Sequence, residues 1–505
     1  MEILTRIAVT ILFLLSFISF VLAQTAASSR VSGVIKDVNG AVVIGATVKL
    51  IDKTKNVERV AVTNSDGLYT FGNVDPGTYD LSVAQSGFRT ILFAEIKADV
   101  ATSSVHDAVL EVGNPNETVT VSATDLPALQ TDDATVGNTI EQARINRLPI
   151  QNRGQVTSLL TTTQPAVSLT GHVAGSRSDQ NTYSLDGLDV SDQVGNRGAV
   201  GTVVPIPAES VEEFRVTVTN PNASFGRSGG GQATLVTKRG GNSFNGSAYW
   251  YLQNDNLNAN TWSRNRLGQI RPESKDNRYG FSFGGPIWKD RTFFFTNLEG
   301  HRIPGSQTVS RNVPTESLRN GILRFADASG VVRDYSPQTF DPRGLGANPQ
   351  ILAYLRRFPL PNVAGTNPNV ATFTTQIAAN TEDDFAVLRL DHRINSKWAI
   401  EARGSYFRSI NLSPAQQANI LDLIAGSRTI QIPKNLNIAV TGNIKSNFTN
   451  ELRYGRAFDH FSANAIDPST VAGFNVPVDI AGIDELIDLD VSRGRTSRIG
   501  TTQCS

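Results

Sequence analysis

Cysteine is almost absent from this chain of 505 residues: one stands at position 504 and nowhere else. No internal disulfide can form, and no zinc site built on cysteine pairs is available. Histidine is sparse and scattered, at His106, His172, His301, His392 and His460. None has a second histidine or a glutamate at the spacing of a metalloprotease helix. An excess of charge of one sign is also lacking, because 46 basic residues balance 46 acidic ones. That balance excludes a chain organised around the nucleic-acid backbone, which shows as a basic domain. After Ala23 no stretch reaches the ~18 uninterrupted apolar residues of a membrane-crossing helix. What the chain does have is 42 glycines together with much Thr, Asn, Ser and Val. Such a composition suits a turn-rich β protein.

The first residues, "MEILTRIAVTILFLLSFISFVLAQ", combine a basic start at Arg6 with an apolar run from Ile7 to Leu22. Small residues at Val21 and Ala23 complete the pattern of a secretory signal peptide cut after Ala23. The expectation is an exported chain that meets a membrane, if at all, with β-strands.

From about Arg30 to Val112 the pattern has period two. Ala46, Val48 and Leu50 alternate with Thr47 and Lys49; Tyr79, Leu81 and Val83 do the same further on. Turn signals at Asn39-Gly40, Asp66-Gly67 and Asp75-Pro76-Gly77 separate the strands. Phe71, Tyr69 and Phe88 read as core aromatics. The stretches "SGVIKDVNGAVVIGATVKLIDK" and "TNSDGLYTFGNVDPGTYDLSVAQSGF" resemble the carboxypeptidase regulatory-like domain. That resemblance implies a transthyretin-like sandwich of seven strands over residues 30–113, without catalytic residues, in a class often linked with carbohydrate binding.

A polar connector follows at 114–134. Within it Glu117, Val119, Val121 and Ala123 mark a β-prone heptad. It resembles a TonB box, the segment by which outer-membrane transporters are pulled from the periplasm. An extended segment with Val at alternate positions can add as a strand to a partner's sheet edge. The same residues also read as a last strand of the sandwich or as plain linker.

Residues 135–240 mix patterns. "TIEQARINRLP" carries Ile140, Ala143, Ile145 and Leu148 near helical spacing and stops before Pro149. "NTYSLDGLDVSD" reads as strand, turn, strand around Asp186-Gly187. "VEEFRVTVTN" alternates Phe214, Val216 and Val218 with Arg215 and Thr217, and Ala233 to Thr237 adds another strand. A small α/β domain is predicted. The order of "LPIQNR", "NTYSLDGLDVSD", "IPAESVEEFRVTVTNPNASFGRSGGG" and "ATLVTKRGGNSFNGS" resembles the plug of TonB-dependent receptors, and most closely their Oar-like branch, in which a regulatory-like domain precedes the plug.

Gly226-x-Ser228-x-Gly230 has the outline of a hydrolase nucleophile elbow. That motif needs a helix after the serine, and here a strand follows. Thr237-Lys238-Arg239 likewise fails as a phosphate loop, which needs Gly-Lys-Ser/Thr opening a helix. The glycines instead serve close backbone approach and turning. Asp186, Asp189 and Asp192, and the run from Asp484 to Asp490, lack calcium-loop spacing and read as solvated turns. No catalytic residue, cofactor or metal site is predicted.

From 241 onward the strands lengthen. Trp250 and Leu252 oppose Tyr249 and Tyr251; Tyr279, Phe281 and Phe283 share a face; Leu388 and Leu390 oppose Val387, Arg389 and Asp391; Tyr406 opposes Glu401, Arg403 and Ser405. Strands of ~10 residues with one apolar and one polar face are the signature of a transmembrane β-barrel. A long loop is expected over about 302–383. Only seven or eight strands can be counted, against about 22 in a plugged transporter barrel. The chain therefore reads as the N-terminal part of a barrel, apparently truncated. Expected overall is a mainly β protein comprising a transthyretin-like sandwich, a small α/β plug and an incomplete antiparallel transmembrane barrel.

The resemblance implies a non-catalytic receptor of the outer membrane that passes a bulky substrate, carbohydrate or peptide being the candidates, under the pull of a TonB-like periplasmic partner. Lipid surrounds it, and nucleic acid is not a partner. The alternative is a surface protein that binds carbohydrate or mediates adhesion, anchored in the outer membrane.

Overall fold

The computed structural model describes residues 27–122, 134–148, 153–164, 166–192, 201–221, 229–266, 271, 275–365, 367–414, 426–445, 448–465 and 495–504. The signal-peptide reading, Ser228 and the acidic run at 484–490 lie outside these residues.

The first body is a sandwich. Its strands are β1 (Ser29–Asp37), β2 (Thr47–Asp52), β3 (Val57–Val62), β4 (Leu68–Val74), β5 (Gly77–Ala84), β6 (Thr90–Ala98), β7 (Ser103–Val105), β8 (Ala108–Leu110) and β9 (Thr118–Ser122). One sheet is built on β4-β1-β7, with β8 also on β1; the other runs β3-β2-β5-β6-β9. Because β7 and β8 both lie parallel to β1, they are two halves of one interrupted strand. Counted so, the sandwich has the seven strands the resemblance implied, and β9 is an extra one, added in parallel to β6. The alternating residues read from the sequence face inward: Ala46, Val48, Leu50, Leu81 and Val83 are fully buried, with Tyr69 and Phe71 among them. Leu81→Ala should lower sandwich stability by about 2–5 kcal/mol. In calorimetry of the full chain, the transition assigned to the sandwich should move to lower temperature.

The second body is a five-stranded sheet, β10 (Val136–Glu141), β11 (Thr182–Leu185), β12 (Leu188–Asp189), β13 (Val211–Thr219) and β14 (Gln232–Thr237), in the order β10-β13-β14-β11-β12. Its core is separate from that of the sandwich and holds Ile140, Ile145, Leu159, Phe214 and Leu235. The helix expected from Ile140 to Leu148 is shorter, Gln142–Arg147, and Ile140 lies on β10 instead. The reason is pairing: Ile140 sits opposite Phe214 of β13. Only Ile145 of the helix is buried, so tertiary pairing outweighs the local period.

The third body is a wall of long antiparallel strands: β15 (Asn245–Asn254), β16 (Lys275–Trp288), β17 (Thr292–Ile303), β22 (Thr381–Arg393), β23 (Trp398–Pro414), β24 (Gly426–Gln431), β25 (Lys434–Lys445), β26 (Phe448–Ala465) and β27 (Arg495–Cys504). β24 and β25 both pair with β23 and with β26, so they form one strand broken at Ile432-Pro433. The break falls where proline has no N–H to give. The wall then has eight strands and is not closed among the described residues, since β15 and β27 lie at its two ends. Its outer face is apolar, with Trp250, Leu252, Phe281 and Leu388 exposed, and its inner face is polar. No described helix is long and apolar enough to cross a membrane, which says nothing of strands.

The long loop between β17 and β22 is folded. It contains β18 (Ser306–Pro314) paired with β21 (Val370–Ala378), and β19 (Leu323–Ala326) paired with β20 (Val332–Tyr335). It has a core of its own around Leu318, Tyr354, Leu355 and Phe358. Its proline and asparagine content pointed to irregular chain. The helix Pro349–Leu355 shows why that reading was too coarse: Asn348 caps it and proline opens it, so both residues start structure there.

Candidate functional site

The central five-stranded unit lies against the inner face of the wall, and a buried ion network joins them. It starts from the turn between β11 and β12. Asp186 and Gly187 both adopt positive φ, 48° and 74°. Two-residue hairpin turns require this, and Asp-Gly supplies it at little cost. The turn carries the Asp186 carboxylate into the wall, where it is 2 % exposed. Thr237 holds it from its own side, through its backbone N–H at 2.8 Å and its hydroxyl at 2.6 Å. From the wall, Arg389 of β22 approaches at 3.0 Å and Arg403 of β23 at 2.9 Å. Asn437 of β25 and Arg453 of β26 donate to the Asp186 carbonyl. One turn thus touches four neighbouring wall strands.

Arg389 is itself shared with Glu401, at 2.6 Å, and Asp391, at 3.1 Å. Arg453 continues the chain to Glu401 and Glu451. Burial pushes the Asp186 carboxyl up, but Arg389 and Arg403, aided by the Thr237 bonds, outweigh it and hold it below the ordinary carboxylate range. The sequence reading of Asp186 as a solvated turn residue is therefore corrected. Asp-Gly does mark the turn, but the wall that buries it comes from chain about 200 residues further on, which no local pattern reveals.

A second set of contacts lies beside it. Glu209 accepts from the Tyr251 hydroxyl at 2.8 Å and lies 3.7 Å from both Arg153 and Lys238. Arg153 stacks over the Tyr251 ring at 4.3 Å. Asn297 donates to Ser210 at 2.8 Å. A cavity of about 440 Å³ remains between Gln155, Ser158 and Pro205 on the central unit and Arg278, His301 and Asp383 on the wall. The backbone between β14 and β15 passes close to the wall: a Cβ on Gly240 would stand 2.3 Å from the Phe294 carbonyl.

These groups hold and align; they present no nucleophile with a base. Among the described residues, no group of three or more His, Cys, Asp or Glu is placed to hold a metal ion.

Of the heptad residues, Ala123 lies outside the described residues. Val119 and Val121 are on β9, and Glu117 immediately precedes it. Arg89 pins Glu117 at 2.7 Å, and Thr90 donates its N–H to the Glu117 carbonyl. One edge of β9 pairs with Thr90–Ala94 of β6, and no described strand pairs with the other. Val119 and Val121 are each about two-fifths exposed. The described part of the heptad is thus an edge strand of the sandwich, sewn on by backbone bonds and a surface ion pair, with little buried apolar area.

Residues 236–502 match the outer membrane beta barrel domain, and residues 30–111 match the carboxypeptidase regulatory-like domain. The chain belongs to the outer membrane β-barrel family. It is similar to the TonB-dependent transporter Oar of Myxococcus xanthus, 25 % identical over 306 residues, which are 55 % of this chain and 26 % of that protein. Among solved structures, the ferric enterobactin receptor of Pseudomonas aeruginosa aligns with a TM-score of 0.44 and 14 % identity, covering 72 % of this chain and 45 % of that one. The outer membrane transporter YddB of Escherichia coli aligns with a TM-score of 0.41 and 13 % identity, covering 65 % and 39 %. The chain spans about a quarter of the length of its curated relative and less than half of these receptors. The resemblance to TonB-dependent receptors of the Oar-like branch is borne out, and the protein is placed in the outer membrane.

Proposed function

We propose that this chain is the N-terminal portion of an outer-membrane TonB-dependent transporter, passing a bulky substrate under a pull from the periplasm. In this reading the central unit is the plug, the Asp186 network is what retains it in the lumen, and Glu117 to Ala123 is the segment that is gripped. The observation that carries the reading is the position of that segment. Its described part is extended from Thr118 to Ser122, it lies upstream of the plug, and it offers a partner an edge that no described strand pairs with, while burying little of its own. Strand addition along such an edge supplies grip through the backbone, which can bear a pull along the chain. Taking the sandwich end as periplasmic, the folded insertion between β17 and β22 faces outward, because it lies at the opposite end of those strands from the Lys289–Arg291 turn beside the sandwich.

The test is binding of the soluble periplasmic domain of a TonB-like partner to the full chain in outer-membrane fractions. Val119→Pro with Val121→Pro should weaken binding at least tenfold, since proline removes ladder donors and distorts the strand. Undiminished binding by that double variant would sink the assignment of this segment.

A further inference from the structure

The sandwich and the central unit are packed together, yet their cores do not merge. One apolar cluster is confined to residues 31–110 and the other to 140–235. The described contacts between the sandwich and the rest of the chain are mainly polar. Arg239, just after β14, lies 2.8 Å from Asp75 on the β4–β5 turn of the sandwich and also donates to the Pro76 carbonyl. Within the sandwich itself, Lys55 on the β2–β3 turn lies 3.5 Å from the same carboxylate. The Asn242 backbone N–H donates to the Thr54 carbonyl at 3.0 Å, and its side chain to the Lys55 carbonyl at 2.8 Å. Arg59 reaches Asn443 of the wall at 2.8 Å. On the far side the Val100 N–H donates to Glu213 at 2.9 Å, and Lys97 pairs with Glu141 at 2.6 Å. An interface of this kind between two bodies with intact cores of their own favours motion as units.

What the sandwich covers gives that motion a consequence. A cavity of about 150 Å³ is walled by Lys55, Arg59 and Asp75 on the sandwich and by Asp391 and Glu401 on the wall. A smaller one, about 40 Å³, lies between Asn73, Asp75 and Pro76 on one side and Asp186, Arg389 and Arg453 on the other. The β4–β5 turn is therefore the lid over the ion network that retains the central unit. Ion pairs weaken when water reaches them, because the effective dielectric rises.

We propose that the sandwich is a detachable cover whose undocking hydrates the Asp186–Arg389–Arg403 network and thereby loosens the central unit from the wall. The device does not depend on which partner pulls. It makes release sequential, with the seam at Arg239 and Asp75 parting first and the buried network giving way second.

The test uses the full chain in outer-membrane fractions, with Cys504→Ser as background. Thr54→Cys with Gly241→Cys forms a staple across the seam, since a Cβ at Gly241 would lie against the Thr54 side chain. Asp75→Arg places like charge against Arg239 and should lower the oxidised yield of the staple pair at least threefold; Arg239→Asp in the same chain should restore it. Hydrogen exchange of peptides spanning Thr182 to Val190 should speed up at least tenfold in Asp75→Arg, and return to the parent rate once the staple has been closed before membrane extraction. Three results would overturn the proposal: an unchanged staple yield in Asp75→Arg, detachment without faster exchange at Thr182–Val190, or equally fast exchange in the stapled chain. Thermal unfolding of the sandwich in Asp75→Arg serves as a folding control, because Asp75 lies on a half-exposed turn outside its core.

Discussion

Asp186→Asn should loosen the central unit from the wall by about 3–5 kcal/mol, the cost of leaving buried charge without its partner. Asparagine keeps the shape of the side chain and tolerates the positive φ of the turn, so the backbone is not the variable. What changes is charge. Arg389 retains Glu401 and Asp391. Arg403, 2 % exposed, loses the carboxylate it faces and is left with the Asn435 amide oxygen at 3.0 Å. Urea titration of the full chain, followed by exchange at Thr182–Leu185, should show the central unit opening before the wall does. Adding Arg403→Met to Asp186→Asn should recover most of the loss, because replacing both ends of a buried pair with well-packed neutral groups is far milder than removing one. If the single variant opens at the parent urea concentration, the network does not retain the unit.

The two halves of that network differed in how visible they were in the sequence. The inward face of the wall could be read: Arg389 and Asp391 alternate with Leu388 and Leu390, and period two puts charges on one side and hydrocarbon on the other. The sandwich could be read for the same reason, down to Ala46, Val48 and Leu50 pointing inward. The Asp186-Gly187 turn could be read from its dipeptide. That the turn meets Arg389 and Arg403 could not, because the contact joins segments about 200 residues apart and neither carries a motif for the other. The spacing of Ile140 fits a helix, but the pairing of β10 with β13 draws it into a strand. The 302–383 insertion reads as plain loop because its paired strands, Ser306–Pro314 and Val370–Ala378, lie more than 50 residues apart with Pro- and Asn-rich chain between them. Its core assembles from residues as far apart as Leu318 and Phe358. The docking of the sandwich under the wall is invisible for a related reason. Polar seams such as Arg239 with Asp75 use residue types that occur on any surface.

Sandwich docking should weaken as pH rises from about 5 to about 8, by up to about tenfold per pH unit at the steepest. The group responsible is Glu213 on β13. In the docked state, burial first and the charge of Asp99 second push its carboxyl up to about 8, although the Val100 N–H works the other way. Glu212 and Glu141 on its own unit add further negative charge, while Lys97 of the sandwich interacts with Glu213 itself and Arg215 of β13 with the neighbouring Asp99. Undocking removes Asp99 and Val100 and exposes the carboxyl, so its affinity for a proton falls toward that of a free glutamate. The docked state then binds a proton that the undocked state releases, and every rise in pH within the window favours undocking. Asp75 at the other end of the seam has the opposite sign. Burial raises it, but Arg239 and Lys55 outweigh burial and hold it well below the ordinary carboxylate range. Its contribution is present above about pH 4 and is lost only as pH falls further. The seam is therefore tightest in mildly acidic solution. Spin labels at Ser65 on the sandwich and Ser396 on the wall turn should report a larger separated population at pH 8.5 than at pH 6. In Glu213→Gln the change between the two pH values should be much smaller, because the amide still accepts from Val100 but has no proton to lose, and only Asp99, also pushed up by burial, remains to titrate there. Equal pH dependence in the parent and in Glu213→Gln would remove Glu213 from the seam's energetics.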